Sequence, residues 1–319
     1  MSADSRSRLR GLAVLAAIAA FFVIAPVAQA APIFKAPTPN KGTYLAIGDS
    51  LAFGYQGYKV AGCAATGCTS PDTQFSTGYV DVFASAFGAT YPGVKTVNLG
   101  CPGETSATLL NATNATTGCT TYPFAIHTNH PGKTQLKAAL KYVDDAKANP
   151  ITINIGANDV LGLVRSCTGS TGAIDLGCVQ AGAPATFAAI QANLGTALRK
   201  IRDEGEKAEI IVVGLYNPLY VAILGTQGPA AAAGTDALTN SLNALTAQTA
   251  DKYKAYFVDP MPTFNPGNGS NPPAEAGAIC TLTLMCADLV PPAGPDGDIH
   301  PTDAGYAALG NLVYQASGY

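Results

Sequence analysis

Four short stretches of the chain carry residue types that do chemistry together. Ser50 stands in Ile47-Gly48-Asp49-Ser50-Leu51 and Gly103 in Asn98-Leu99-Gly100-Cys101-Pro102-Gly103-Glu104-Thr105. Asn158 stands in Gly156-Ala157-Asn158-Asp159 and His300 in Asp296-Gly297-Asp298-Ile299-His300-Pro301. A serine hydroxyl is a poor nucleophile until a base takes its proton. Of the 3 histidines, His300 is the best-equipped base, because carboxylates stand two and four residues before it. A carboxylate beside an imidazole fixes its tautomer and stabilises the imidazolium that forms. The backbone N–H groups of Ser50 and Gly103 and the side-chain amide of Asn158 are donors suited to a developing oxyanion. Together these groups describe acyl transfer through a tetrahedral intermediate, ending on water. Taken singly, each residue reads as a turn, a helix cap or a loop brace. Their conjunction, in this order, carries the chemistry.

Such residues must be delivered to one place by the elements around them. Short apolar, β-branched runs at Thr43–Gly48, Thr96–Leu99, Ile151–Gly156, Glu209–Leu215 and Tyr256–Asp259 predict strands covered on both faces. Amphipathic segments near Gly78–Phe87, Thr134–Ala146, Ala185–Glu206 and Thr235–Ala255 predict helices between them, and Tyr306–Tyr314 a last one. In Ala185–Glu206, Phe187, Ile190, Leu194, Leu198 and Ile201 fall on one stripe at spacings of three and four. Alternating strands and helices imply an α/β fold, an open parallel five-stranded sheet with helices on both faces. Ligands bind such sheets at the carboxyl ends of the strands, where Ser50, Gly103 and Asn158 each follow a strand. The Gly- and Pro-rich inserts at 56–76, 111–133, 163–184 and 260–297 read as long loops.

Composition narrows the setting. Charged residues make up 12% of the 319, about half the usual ~25% for soluble domains, and the net charge is −3. No basic face is available for phosphate contacts, so nucleic acid is excluded as a partner. At the N-terminus, Arg6, Arg8 and Arg10 precede an apolar run from Gly11 to Ala25, and Ala28-Gln29-Ala30 forms a small-x-small cleavage signal. This predicts a signal peptide over 1–30, cut after Ala30, and a secreted, extracellular domain over 31–319. The 8 cysteines fall into local couples: Cys63/Cys68, Cys101/Cys119, Cys167/Cys178 and Cys280/Cys286. Sequential disulfides close short loops at low entropic cost, each contributing ~2–3 kcal/mol. The spacings do not suit zinc. If Cys101 pairs with Cys119, that staple braces the turn carrying Gly103.

At the four motif stretches the chain resembles the SGNH hydrolases, also called GDSL lipases and esterases. The resemblance runs from Thr43 to the terminal helix. Ser50 matches the family nucleophile, Gly103 rather than Gly100 the oxyanion glycine, Asn158 the oxyanion amide and His300 the base. Val212-Val213-Gly214-Leu215-Tyr216-Asn217-Pro218 looks like the family's fourth strand and its exit. The resemblance implies a flavodoxin-like three-layer sandwich that hydrolyses carboxylic esters with no metal and no cofactor. The commoner family pattern places the acid three residues before the histidine, where this chain has Gly297. Asp298 is the expected acid, with Asp296 and the Gly297 carbonyl as alternatives.

The leading expectation is a secreted, monomeric serine esterase or lipase acting on a small-molecule or lipid ester, touching lipid surfaces transiently. A polysaccharide or cell-wall O-acetyl esterase or acyltransferase would use the same triad, and a non-catalytic exported binding module would share the fold. The chain has no Trp to stack on sugars, although 14 Tyr could substitute. Val160–Val164 and Met261–Phe264 are apolar enough to line an acyl pocket. His127 and His130 lie three apart with no further ligand in register, and read as solvated loop histidines.

Overall fold

A computed structural model describes residues 42–63, 67–111, 125–145, 148–286 and 297–319. The predicted signal segment, Cys119 and Asp296 lie outside them. In chain order the elements are β1 (Thr43–Gly48), α1 (Ser50–Phe53), α2 (Gly57–Cys63), α3 (Pro71–Gln74), α4 (Tyr79–Thr90), β2 (Lys95–Asn98), α5 (Ser106–Leu110) and α6 (Gln135–Asp145). There follow β3 (Ile151–Asn154), α7 (Ala157–Ser166), α8 (Leu176–Glu204), β4 (Ile210–Val213), α9 (Tyr220–Gln227) and α10 (Pro229–Lys252). The chain closes with β5 (Tyr256–Val258), α11 (Met261–Phe264), α12 (Pro272–Leu282) and α13 (Asp303–Ser317).

The five strands form one parallel sheet in the order β2-β1-β3-β4-β5. In β1, β3 and β4 every residue is buried, the side chains alternating between two covered faces. The edge strand β2 exposes Lys95 and Thr96, and β5 is only partly buried, so the expectation of two covered faces fails at the sheet edges. Leu45, Ile47, Ile151, Ile153, Ile210 and Val212 pack under α6, α8 and α10, against residues such as Val143, Leu198 and Ala250. Tyr44, Ala46, Ile211 and Val213 face the other way, against Phe83 and Phe87 of α4 and Leu309 and Val313 of α13. The result is the expected three-layer α/β sandwich. The chain leaves β1 toward β2 on one side and returns to β3 on the other. Strand order therefore reverses between β1 and β3, and a crevice opens at their carboxyl ends.

The expected loops contain more helix than their composition implied. Pro71, Pro229 and Pro272 each open a helix, at the position where a missing N–H costs nothing and a fixed φ helps. α3 and α12 lie in the segments 56–76 and 260–297 expected as loops, and α10 begins at Pro229, ahead of the expected Thr235. The helix expected from Ala185 begins at Leu176, capped by the Asp175 side chain, and runs through Pro184. Pro184 and Gln180 are both exposed, so water can serve the carbonyl that the proline leaves unpaired. Among the described residues, three disulfides join Cys63 to Cys68, Cys167 to Cys178 and Cys280 to Cys286, as sequential pairing anticipates; the expected Cys101–Cys119 pair reaches outside them. The Cys167–Cys178 bridge ties the end of α7 to the first turn of α8.

Candidate active site

β1 ends at Gly48, and the buried Asp49 caps α1, its Oδ1 accepting the Leu51 N–H at 3.0 Å. This sets Ser50 at the first position of a helix that starts above the crevice. The same Asp49 oxygen accepts the Asn154 side-chain amide at 2.6 Å, which links the ends of β1 and β3. Burial pushes the Asp49 carboxyl up to about 7, against the hydrogen bonds from Leu51 and Asn154. The turn after β2 is tied down in turn. Cys101 N–H donates to the Gly48 carbonyl at 3.0 Å, and the Asn98 amide donates to the Ala52 carbonyl at 2.7 Å. Gly103 stands in this turn at φ +81°, a conformation that a side chain would resist. Asn158 lies in the first turn of α7, where its amide donates to the Glu104 carbonyl at 2.9 Å. Asp159 next to it accepts from Ser106 N at 2.8 Å and Ser106 Oγ at 2.7 Å, locking α7 against α5.

His300 arrives from the opposite end of the chain. Leu284 N–H donates to the His300 carbonyl at 2.9 Å, and Tyr216 Oη donates to the Ile299 carbonyl at 2.7 Å. The Cys280–Cys286 staple closes the turn containing Leu284. So held, His300 Nε2 lies 2.8 Å from Ser50 Oγ, and its Nδ1 lies 2.5 Å from Asp298 Oδ1. With Nδ1–H donating to Asp298, Nε2 is the acceptor for the serine proton. Burial alone would raise the Asp298 carboxyl. Hydrogen bonding and charge from His300, with the backbone N–H groups of Gly57 and His300, hold it below the ordinary range. Of the three candidates for orienting His300, the Asp298 side chain occupies Nδ1.

Ser50, Gly103, Asn158, Asp298 and His300 all line one cavity of about 1530 Å³. Much of its lining is apolar, including Val160, Leu163, Phe187, Leu215, Leu238 and Leu242. Burial also pushes the Glu104 carboxyl up to about 7, against the hydrogen bond from Thr108. Val160, Leu161, Leu163 and Val164 line the cavity as the sequence suggested. Met261 and Phe264 do not: they are buried, and Phe264 stacks on Tyr216 with ring centroids 4.4 Å apart. His127 is not a solvated loop residue either, since its ring bridges Asp72 Oδ1 at 2.7 Å and the Phe53 carbonyl at 3.0 Å. His130 is buried, 3.5 Å from Cys101 Sγ. Among the described residues no group of three His, Cys, Asp or Glu is placed to hold a metal.

Sequence reasoning missed Phe187, Leu238 and Leu242 as cavity wall. Phe187 belonged to the recognised stripe of α8, but periodicity says only that a face is covered, not whether protein or a ligand covers it.

A sequence model of the GDSL-like lipase/acylhydrolase family matches residues 46–308. No curated protein sequence matches the chain significantly. Among solved structures, the fold is similar to an extracellular lipase from Streptomyces rimosus, at 18% identity and TM-score 0.52, over 86% of this chain and 99% of that one. It is similar to a phospholipase A1 from Streptomyces albidoflavus NA297, at 18% identity and TM-score 0.51, over 87% and 99% of the two chains. A third likeness is to Axe2, an acetylxylan esterase from Geobacillus stearothermophilus, at 18% identity and TM-score 0.51, over 89% and 97%.

Proposed function

The chain belongs to the GDSL-like lipase/acylhydrolase family and is thereby a carboxylic ester hydrolase; we propose that it works through a Ser50 acyl-enzyme on esters with an extended apolar acyl group. Ser50 Oγ attacks the ester carbonyl while His300 Nε2 takes its proton, and Asp298 stabilises the imidazolium through Nδ1–H. The N–H groups of Ser50 and Gly103 and the Asn158 amide receive the oxyanion. Collapse of the intermediate expels the alcohol, protonated by His300. Water then attacks the acyl-enzyme, gives its proton to His300, and the carboxylic acid leaves as Ser50 recovers its proton.

The observation that carries this reading is the 2.8 Å Ser50–His300 contact at the mouth of an apolar cavity of about 1530 Å³. An acetyl group would leave that space unfilled. Each methylene moved from water onto the wall is worth up to about 0.8 kcal/mol, so kcat/KM should rise by up to about fourfold per added carbon until the cavity is filled. Export is part of the proposal. It rests on the charged, apolar and small-x-small pattern of residues 1–30 and on the three disulfides. Among the described residues, no helix is long and apolar enough to cross a membrane.

A fluorophosphonate probe should label folded protein at Ser50 and leave Ser50→Ala untouched. A series of esters from acetyl to palmitoyl, with acetylated xylan alongside, should show activity rising with chain length. Equal labelling of the Ser50→Ala variant would sink the mechanism. A preference for acetyl or for the glycan would sink the acyl-pocket assignment.

A further inference from the structure

Three consecutive residues that leave the nucleophile helix each grip a different part of the segment carrying the base. Tyr55 N–H donates to the Ser50 carbonyl at 3.0 Å, so the segment 55–57 is anchored to the serine itself. The Tyr55 ring packs against the His300 imidazole with centroids 4.5 Å apart and planes at 50°. Its carbonyl accepts the Tyr306 hydroxyl at 2.8 Å, which pins it to α13. Gln56 is fully buried and its amide donates to the Pro301 carbonyl at 2.9 Å. Gly57 N–H donates to Asp298 Oδ2 at 2.7 Å.

We propose that Tyr55 and Gly57 are positioning residues for the ester hydrolysis described above, on which this inference rests: Gly57 fixes the acid, and Tyr55 braces the base and stabilises its protonated form. The need arises from the spacing of Asp298 and His300. With only one residue between them, Asp298 Oδ1 folds back onto the His300 backbone N–H at 3.0 Å as well as onto Nδ1. That local ring orients Oδ1 and leaves Oδ2 to be held from elsewhere. Without a donor there, rotation of the carboxyl would carry Oδ1 away from the imidazole. The Gly57 N–H supplies the donor, and a Cβ at Gly57 would come within 3.0 Å of the same oxygen. The imidazole has its own freedom, rotation about its side-chain bond. The Tyr55 ring limits it on one side, and an aromatic ring this close attracts the cation that forms as Ser50 loses its proton. Tyr55 and Gly57 line the same cavity beside Asp298 and His300. Both effects nevertheless act in the transition state and leave Val160, Leu163, Phe187, Leu215, Leu238 and Leu242 untouched, so they should appear chiefly in kcat.

The test compares Tyr55→Leu, Tyr55→Phe and Gly57→Ala in the full chain, with thermal unfolding run alongside. Tyr55→Leu should lower kcat and the rate of fluorophosphonate labelling about tenfold, with KM for a long-chain ester within twofold of the parent. Tyr55→Phe keeps the ring face and should recover most of that loss. Gly57→Ala should show the same split between kcat and KM. In proton NMR, the downfield resonance of the His300–Asp298 hydrogen bond, absent in Asp298→Asn, should shift or broaden in Gly57→Ala. Turnover of Tyr55→Leu at the parental rate, or equal losses in Tyr55→Leu and Tyr55→Phe, would overturn the role of Tyr55. If Tyr55→Leu does not fold, Gly57→Ala decides, and an unchanged kcat and resonance there would overturn the proposal. A parent protein that fails to label overturns the hydrolase reading, and this one with it.

Discussion

Asp298 and Asp236 are both withdrawn from water, and they end in opposite states of charge. Asp298, at the edge of the cavity, has donors on both oxygens: the His300 ring and backbone on one, Gly57 on the other. Its carboxyl stays below the ordinary range in spite of burial. Asp236 lies on α10, fully buried, behind the cavity wall. Its Oδ1 accepts the Asn217 amide at 2.8 Å and the Asn265 amide at 3.4 Å. Its Oδ2 has no donor among the described residues, and the buried Glu275 faces it from α12. Burial, and then hydrogen bonding to Glu275, push Asp236 up to about 8. The Tyr220 hydroxyl is buried beside the same pair, and burial raises it to about 12. Depth in the protein therefore does not by itself decide whether a carboxyl is ionised. Burial raises both, and what meets the oxygens decides the difference. The imidazole charge and several N–H donors outweigh burial at Asp298, whereas a second carboxyl adds to it at Asp236.

The sharpest way to break this comparison is to neutralise both carboxyls in matched variants. Asp298→Asn should lower kcat about 10⁴-fold, because an amide at that position favours the wrong imidazole tautomer. Asp236→Asn should leave kcat within a few-fold, since its amide can donate to Glu275 where a shared proton stood. Equal losses, measured with one long-chain ester, would remove the distinction between the two regions. Next in size, Asn158→Ala should cost about 10²–10³ in kcat while leaving the Ser50–His300 contact in place. A loss below threefold would show that the oxyanion is met elsewhere.

Stability against pH separates the two regions by sign. Asp49, Glu104 and Glu209 are raised by burial to about 7, and Asp236 to about 8. Between an unfolded value near ~4 and those folded values, the native state holds more protons than the unfolded chain. Stability should therefore fall as pH rises through that window, by about 5 °C in Tm between pH 5 and pH 8. Asp298 and Asp303 are lowered, so their contribution is present above ~4 and is lost as pH falls through their folded values. A Tm that climbed from pH 5 to pH 8 would contradict the raised set. The smallest effect expected is in Asp236→Asn, which should recover about 2 °C of that loss at pH 8 and almost none at pH 5.

Much of the fold and of the candidate site was legible in the residues themselves. The three inner strands could be read because each is a short, largely β-branched run buried on two faces, and such runs have few other uses. The edge strands β2 and β5 carry the same pattern more weakly because water reaches part of each. Ser50, Gly103, Asn158 and His300 could be named because each follows a strand or precedes the last helix in a pattern whose chemistry is local. The sequential disulfides were legible for the same reason, since their partners are neighbours in the chain. The helices within 56–76 and 260–297 were not, because proline punctuates a helix start and a turn alike. Three decisions belonged to the tertiary structure alone. It placed the Asp298 side chain on His300, where the sequence allowed Asp296 and the Gly297 carbonyl as well. It brought Tyr55 and Gly57 onto a segment about 240 residues further along the chain. It turned the apolar stripe of α8 and the face of α10 into the wall of a cavity. Sequence determines what a residue can do and which local geometry it prefers; which distant group meets its second oxygen, or its exposed face, depends on contacts that only the packed sheet and helices create.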